Sequence, residues 1–388
     1  MIYYGKQNIN EADIEAVEEI LRSDFLTQGP AIERFEHRVA DYCGAKYAVA
    51  VTNATSALHI ACLAAGMGRD DILWTSPITF VASANCARYC GSDVDFVDID
   101  EKTYNMSADR LEEKLRKAKA AGRLPKMVIP VHLAGQSCDM QRIHALAEEY
   151  GFVVTEDASH AVGADYLGAK VGSCAFSDMA VFSFHPVKII TTGEGGMVLT
   201  NRKDLYEKLL LYRSHGITRN AADMTHESDG PWYYQQIELG FNYRMTDIQA
   251  ALGCSQMDRL DAFVARRREL VARYDAALQG LPVKTPYVMK GANPSWHLYV
   301  VRVDFTKVCK NKREIFAQMA EKGVALNLHY IPVHTQPYYE ALGHRPEECP
   351  NAMAYYREAL TLPLYYGLSD EEQDGVVENL ASVLTERC

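Results

Sequence analysis

The chain is short of basic residues. Its 40 lysines and arginines face 51 aspartates and glutamates, a formal net charge of −11. Contacts to a phosphate backbone need clustered cations, so general nucleic-acid binding is excluded. The two basic runs, 114–119 and 266–268, read as solvated helix faces. No run approaches the ~18 consecutive apolar residues of a membrane span, and the opening MIYYGKQNIN lacks a charged-then-apolar signal segment. Ten cysteines are scattered over 388 residues without one CxxC pair, which argues against a disulfide scaffold. Cys43, Cys62 and Cys174 stand among small or apolar neighbours and read as buried thiols. A cytoplasmic, reducing setting is the expectation.

Common signatures of chemistry are missing too. There is no GxGxxG after the first strand, no GxxxxGK[ST], no HExxH and no GxSxG. These absences speak against a dinucleotide-binding Rossmann unit, a P-loop, a zincin and a serine hydrolase of the nucleophile-elbow type. His329 and His334 lie five apart, and on a strand they would face opposite ways, so no shared metal is expected.

What is present is an alternation. Helical periodicity over 11–23 and 31–42 leads to the strand YAVAVTN and the apolar helix ATSALHIACLAAGM. Then DILWTS, DVDFVDID, MVIPVHLAG and FVVTEDAS read as strands, each followed or preceded by a helix. Strands and helices alternating at these lengths predict a mainly parallel α/β sheet with helices on both faces. Ligands of such sheets bind beyond the carboxyl ends of the strands. A long helix with one break is predicted over 246–278. Beyond Pro282 the segments HLYVVRVDF and VALNLHYIPVH read as strands, with a helix between them and two more around LTLPLYYGLS, a smaller α+β domain. The boundaries expected are an N-terminal arm and helix at 1–30, a large α/β domain at 31–250, and a linking helix plus small domain at 251–388.

Four stretches carry chemistry. In FSFHPVKIITTGEGG a single lysine, Lys188, has Val187, Ile189 and Ile190 beside it. An amine held against an apolar wall loses part of its proton affinity and gains nucleophilicity, although a lysine in a glycine-rich hairpin would look the same. In VTNATSA the start of a helix offers free N–H groups and the hydroxyls of Thr55 and Ser56, an anion cradle or ordinary capping by Asn53 or Thr55. Asp157 ends a strand, and Phe80 sits at the start of a helix. An amine, a carboxylate, an anion cradle and an aromatic face are the parts that a pyridoxal phosphate site needs.

Taken in order, SFHPVKIITTGEGG, TEDASHAVGA, TNATSALH and GFNYRMTDIQAALG resemble the sugar-nucleotide aminotransferases of the DegT–StrS group, over essentially the whole chain. The resemblance implies the fold-type I architecture of pyridoxal phosphate enzymes, a mainly parallel mixed sheet plus the smaller C-terminal domain. It implies that Lys188 forms the Schiff base with pyridoxal 5'-phosphate and shuttles protons, with pyridoxamine phosphate as the alternate form. Asp157 would pair with the pyridinium nitrogen, Phe80 would stack on the ring, and Thr55, Ser56 and Ser183 would bind the phosphate. Asn242 would reach the phosphate of a partner subunit, making a homodimer with shared sites. His160 stands where much of the family has glutamine, which leaves the contact at the ring's phenolic edge open.

The segments PVHLAGQSCDM, RSHGIT, GPWYYQQ and HYIPVHTQPYY resemble the branch of the family that acts in pseudaminic acid biosynthesis. That branch implies L-glutamate as amino donor and a UDP-linked 4-keto-6-deoxy-N-acetylhexosamine as acceptor. Lys6, Thr27, His329 and Tyr330 are then the candidate substrate contacts, with core packing as the other reading of the last two. Another keto sugar nucleotide, such as the D-gluco isomer or a dTDP- or GDP-linked sugar, is the rival acceptor. A non-catalytic sensor that kept the fold is the rival of another class. No metal, nucleic acid or membrane enters this reading.

Overall fold

The computed structural model describes residues 1–386. The strands are mostly apolar and buried: β1 (Tyr47–Val51), β2 (Ile72–Thr75), β3 (Asp93–Phe96), β4 (Met127–Ile129), β5 (Val153–Asp157), β6 (Met179–Ser183) and β7 (Gly196–Thr200), with β3 at the sheet's edge alternating polar and apolar residues. They make one seven-stranded sheet in the order β1-β7-β6-β5-β4-β2-β3. The pairs β3/β2, β2/β4, β4/β5 and β5/β6 are parallel. Only β7 runs against its neighbours, pairing antiparallel with β6 and β1. The sheet is mainly parallel and mixed, as expected.

Alternation along the strands decides what each face meets. After the helices α1 (Glu11–Leu21) and α2 (Pro30–Cys43), helices α3 (Ala54–Ala64) and α4 (Ala82–Tyr89) join one core with Val49 and Val51 of β1 and Met179 and Val181 of β6. Ala48, Ala50, Ala180 and Phe182 point the other way, into a core with the helix Pro30–Cys43. That helix starts on a proline, whose missing N–H costs nothing in a first turn, and stops at Gly44 in the left-handed region, φ 76°. A third core under Trp74 and Val128 is filled from the helices Ala108–Ala120 and Met140–Tyr150. Both faces are covered, which is why the strands need no polar side.

The long helix breaks once, between Asp247–Met257 and Leu260–Ala277. Around the break Asp13 accepts from Gln256 Nε2 at 2.8 Å and pairs with Arg259, pinning the first helix, Glu11–Leu21, onto the pair. Beyond it, Val283–Lys284, Tyr299–Val303 and Ala359–Leu362 form a small antiparallel sheet. One apolar core draws its buried residues entirely from 270–384. Tyr339, Tyr355 and Leu298 instead pack into the large sheet's core.

One expectation fails here. The stretch 324–334 is not a regular strand: it makes an isolated bridge at Asn327–Thr361 and ends in a short 3-10 turn, Val333–Thr335. Pro332 has no N–H to give a ladder, and the segment that 324–334 bridges to is the strand Ala359–Leu362 (ALTL), where the sequence predicts helices. The N-terminal arm runs along the small domain. Ile2 pairs with Val324, and Tyr4 accepts the Leu364 N–H at 3.0 Å.

Candidate active site

The carboxyl ends of β1, β5 and β6 meet at one edge of the sheet. Asp157 is opposite Val181, and Ser183 lies two residues further along the same strand. Ser183 is opposite Gly196, which in turn is opposite Val51, the last residue before the turn into α3. Parallel direction and register thus gather an acid, a hydroxyl and a helix start.

Asp157 is buried, and both its oxygens are engaged. Oδ2 accepts from Ser83 Oγ at 2.6 Å, Ser83 Oγ is linked to Thr79 Oγ1 at 2.7 Å, and Oδ1 accepts the Ser159 N–H at 3.1 Å. Thr79 and Ser83 are themselves buried. A carboxylate so held stays aimed in one direction, since rotation would break bonds in a place water does not reach.

The loop carrying Lys188 is closed by its threonines. Thr191 Oγ1 donates to the Phe184 carbonyl at 3.0 Å, the Thr192 N–H donates to the same oxygen at 3.0 Å, and the Gly193 N–H donates to Thr191 Oγ1 at 2.9 Å. Ile189 and Ile190 are buried below, and Lys188 is half-buried. Among the described residues its Nζ has no hydrogen-bond or ion-pair partner. Burial lowers its pKa to about 8, with the charge of Asp157 pulling the other way. About a tenth of the amine is then neutral at pH 7, far more than for an ordinary lysine. The glycines that follow serve packing of the backbone: a Cβ on Gly196 would strike the backbone of Asn53 and Ala54. This glycine allows the close approach of β7 and the start of α3.

At that start Asn53 caps α3, accepting the Ser56 N–H at 2.8 Å. The capping reading therefore holds for Asn53, and the hydroxyls of Thr55 and Ser56 remain beside it. Ser56 Oγ lies 3.1 Å from Thr52 Oγ1. With Ser183 they form a neutral hydroxyl cradle at a helix N-terminus, suited to a dianionic phosphate.

The opposite wall is histidine and aromatic. His160 accepts the Ala134 N–H on Nδ1 at 3.3 Å, and its Nε2 meets the Tyr330 hydroxyl at 3.0 Å. The ring of His297 lies 4.5 Å from that of His160, and the ring of Phe80 lies 6.4 Å from that of Tyr330. His329 is buried, hydrogen-bonded to Thr361 Oγ1 at 2.9 Å, and Tyr4 packs 4.9 Å from it. Burial, then the charge of Lys188, lowers the pKa values of His160 and His297 and brings that of His329 to about 3. These imidazoles stay neutral, and the negative charge of Asp157 meets no competing cation from them. Phe80, 60% exposed, presents its face as a shelf.

Of the residues singled out in the sequence, Thr55, Ser56, Phe80, Asp157, His160, Ser183, Lys188, His329 and Tyr330 come together. Lys6, Thr27 and Asn242 do not come with them. Lys6 is exposed, although Gly5 passes the side chain of Val187 in the lysine loop. Thr27 and Asn242 are exposed on a neighbouring patch, Thr27 bridging Thr246 and Asn242 bridging Ser214. Sequence reasoning missed Ser83, Thr79, Tyr4 and His297. Only Thr79 and Ser83 left a signal, a four-residue spacing of hydroxyls at the start of a helix.

A partnerless amine with lowered basicity, a buried carboxylate with a fixed aim, a hydroxyl cradle and an aromatic shelf fit pyridoxal phosphate. The fold and the site define a pyridoxal phosphate-dependent aminotransferase. More particularly, the chain belongs to the DegT/DnrJ/EryC1/StrS aminotransferase family, whose model matches residues 7–381. Similar proteins include the spore coat polysaccharide biosynthesis protein SpsC of Bacillus subtilis, 39% identical over 98% of this chain and 96% of that one. The UDP-4-amino-4,6-dideoxy-N-acetyl-beta-L-altrosamine transaminase of Campylobacter jejuni (strain 81-176) is 35% identical over 99% and 98%. A sugar aminotransferase of Streptococcus pneumoniae, Spr1654, solved in its pyridoxamine phosphate form, superposes with a TM-score of 0.88 at 30% identity, covering 98% of each chain. This protein is a sugar aminotransferase. No helix among the described residues is long and apolar enough to cross a membrane.

Proposed function

We propose that this enzyme moves the amino group of L-glutamate to carbon 4 of UDP-2-acetamido-2,6-dideoxy-β-L-arabino-hex-4-ulose. The product is UDP-4-amino-4,6-dideoxy-N-acetyl-β-L-altrosamine, on the route to pseudaminic acid. The observation that carries this reading is similarity along the entire length to a transaminase named for that product.

Bound pyridoxal phosphate supplies an aldehyde carbon that takes up amines and a ring that draws electrons from the neighbouring carbon. Lys188 would hold that aldehyde, and its Nζ, once freed, would be the base that takes the proton from the α-carbon of glutamate and the acid that returns it. With a pKa of about 8 the amine has both forms available for this work. With the keto sugar Lys188 would act the other way, as the acid that leaves a proton on sugar carbon 4. Asp157 keeps the ring nitrogen protonated, held to that task by Ser83 and Ser159. Thr55, Ser56 and Ser183 bind the phosphate, and Phe80 covers the ring. Asn242, exposed in one chain, reaches the phosphate of a second chain in a homodimer. Lys6 and Thr27 flank the sugar nucleotide, and the setting is the cytoplasm.

Assay of the purified protein with glutamate and the two epimeric UDP 4-keto sugars tests this. Preference for the D-gluco isomer would overturn the acceptor and leave the aminotransferase standing. A different keto sugar nucleotide is the second reading, because the spore-coat relative is the more similar of the two.

A further inference from the structure

We propose that Cys90 is a thiol that reacts with hydroperoxides, and that the buried Cys62 closes the oxidised sulfur into a reversible disulfide. Neither cysteine takes part in the amino transfer described above.

Three cysteines meet where α3 packs on α4. Cys62 is on α3, Cys86 is on α4, and Cys90 is the residue that ends α4. Cys62 and Cys86 are wholly buried in the core beneath these helices, where the Cys62 sulfur also lies 3.9 Å from that of Met127. Cys90 sits at the rim of that core, packed against it and partly exposed. Among the described residues, Cys90 and Cys254 are the free cysteines that are not buried. The Cys62 sulfur is in hydrogen-bonding reach of both Cys86 and Cys90. As thiols, Cys86 and Cys90 turn back to the carbonyls of Ser83 and Cys86, each at 3.4 Å, an ordinary posture on a helix. The sulfurs are not gathered tightly enough to share a metal ion. Among the described residues the one grouping of three such ligands within 4.8 Å is Asp95, His344 and Glu348, elsewhere in the fold.

What sets Cys90 apart is His59, buried on α3 one turn before Cys62. His59 Nδ1 lies 3.3 Å from the Tyr243 hydroxyl, which burial keeps protonated and so able to donate. With Nδ1 engaged, Nε2 is the nitrogen left for the Cys90 sulfur, to which His59 is hydrogen-bonded. The rings of Phe241 and Tyr89, 4.8 and 5.4 Å away, hold the imidazole in place. A hydrogen bond from Cys62, and then one from His59, lower the pKa of Cys90 against its partial burial. The bonds to Cys86 and Cys90, and then burial, raise that of Cys62. The pair is divided into a nucleophile at the rim and a thiol beneath it that keeps its proton.

The thiolate of Cys90 attacks one oxygen of the hydroperoxide and the O–O bond breaks. The leaving oxygen takes up the proton that His59 had received from the thiol. Cys90 is then a sulfenic acid, oxidised by two electrons as the peroxide is reduced. The Cys62 sulfur attacks that of Cys90, the S–O bond breaks, and hydroxide leaves with the Cys62 proton as water. The disulfide joins α3, which opens on Thr55 and Ser56, to α4, which carries Ser83.

The test treats the reduced holoenzyme with hydrogen peroxide at pH 7, alkylates the remaining thiols and maps the peptides by mass spectrometry. Cys90 should be consumed at least about tenfold faster than Cys254, whose thiol burial makes less acidic. The product should link Cys62 to Cys90 and revert with a thiol reductant. Cys62→Ala should stop at a sulfenic acid on Cys90, trapped by a 1,3-dione. His59→Phe should slow Cys90 by about tenfold and leave Cys254 as it was. Cys62, Cys86, Tyr89, Tyr212 and Tyr243, the other titratable groups around Cys90, are unchanged in that variant. Cys90 no faster than Cys254 in the unaltered protein would overturn the proposal. A bond from Cys90 to Cys86, or a sulfenic acid that never closes, would overturn the part given to Cys62. Should Cys62→Ala not fold, the disulfide mapped in the unaltered chain decides that part.

Discussion

Ser83 Oγ donates to Asp157 Oδ2 across 2.6 Å, with neither group reached by water. The helix that bears Ser83 thereby holds the aim of an acid on the central sheet. Ser83→Ala removes a hydrogen bond to a charged group, worth about 1.5–3 kcal/mol. Affinity for pyridoxal phosphate should fall roughly tenfold to a hundredfold by that measure, read by titration of the cofactor's absorbance. Ser83→Thr should recover part of it. Unchanged affinity in the alanine variant would mean that the loop around Ser159 is enough.

Asp157→Asn keeps the shape of the side chain and removes its charge. The ring nitrogen is then no longer held protonated, and turnover should drop at least about a hundredfold. Steady-state rates with glutamate and a keto sugar decide this. Near-normal turnover would take Asp157 out of its assigned role.

Lys188 offers a pH signature before any turnover. Its pKa is lowered to about 8 from an ordinary 10.5, so the neutral amine is scarce below 8 and predominant above it. Capture of pyridoxal phosphate by cofactor-free enzyme should quicken roughly tenfold per unit as pH rises toward 8, then level off. Stopped-flow absorbance measures it. A rise that continues to about 10 would show an unperturbed lysine, and Lys188→Ala should show no capture and no amino transfer.

The shared site can be tested by mixing. Lys188→Ala and Asn242→Ala chains should each form defective dimers. A mixed dimer places both lesions in one site and leaves the other whole. Activity should reappear on mixing under exchange conditions. If it does not, while cross-linking shows that mixed dimers have formed, Asn242 does not act across subunits.

Gly196 tests the packing of the cradle. Its Cβ would meet the backbone of Asn53 and Ala54, which has no flexible end to move aside. Gly196→Ala should destabilise the fold by about 1–3 kcal/mol, as overpacking does, visible as a lower midpoint in denaturant. A variant as stable as the original would show that β7 and α3 can part freely.

Much of this was legible in the chain. Alternating helical and strand periods predict the mainly parallel sheet, and local stretches mark Thr55 and Ser56, Phe80, Asp157 and Lys188 as candidates. The stretch around His329 and Tyr330 was read as a strand and is not one, because strand formation depends on a partner edge and on N–H groups that Pro332 cannot give. Exposed Asn242 and Thr27 carried a family expectation that one chain by itself does not bring to the site.

The sequence by itself determined which residues carry the chemistry, since reactivity resides in side-chain type and a loop such as VKIITTGEGG is local. Only the tertiary structure decided how they are tuned. The bond from Ser83 to Asp157, the neutral wall of His160, His297 and His329, and the contact of His160 with the Tyr330 hydroxyl join residues 74 to 170 positions apart or rest on burial. Hydrogen-bond direction and desolvation are properties of a packed environment, and no linear pattern of residues encodes them.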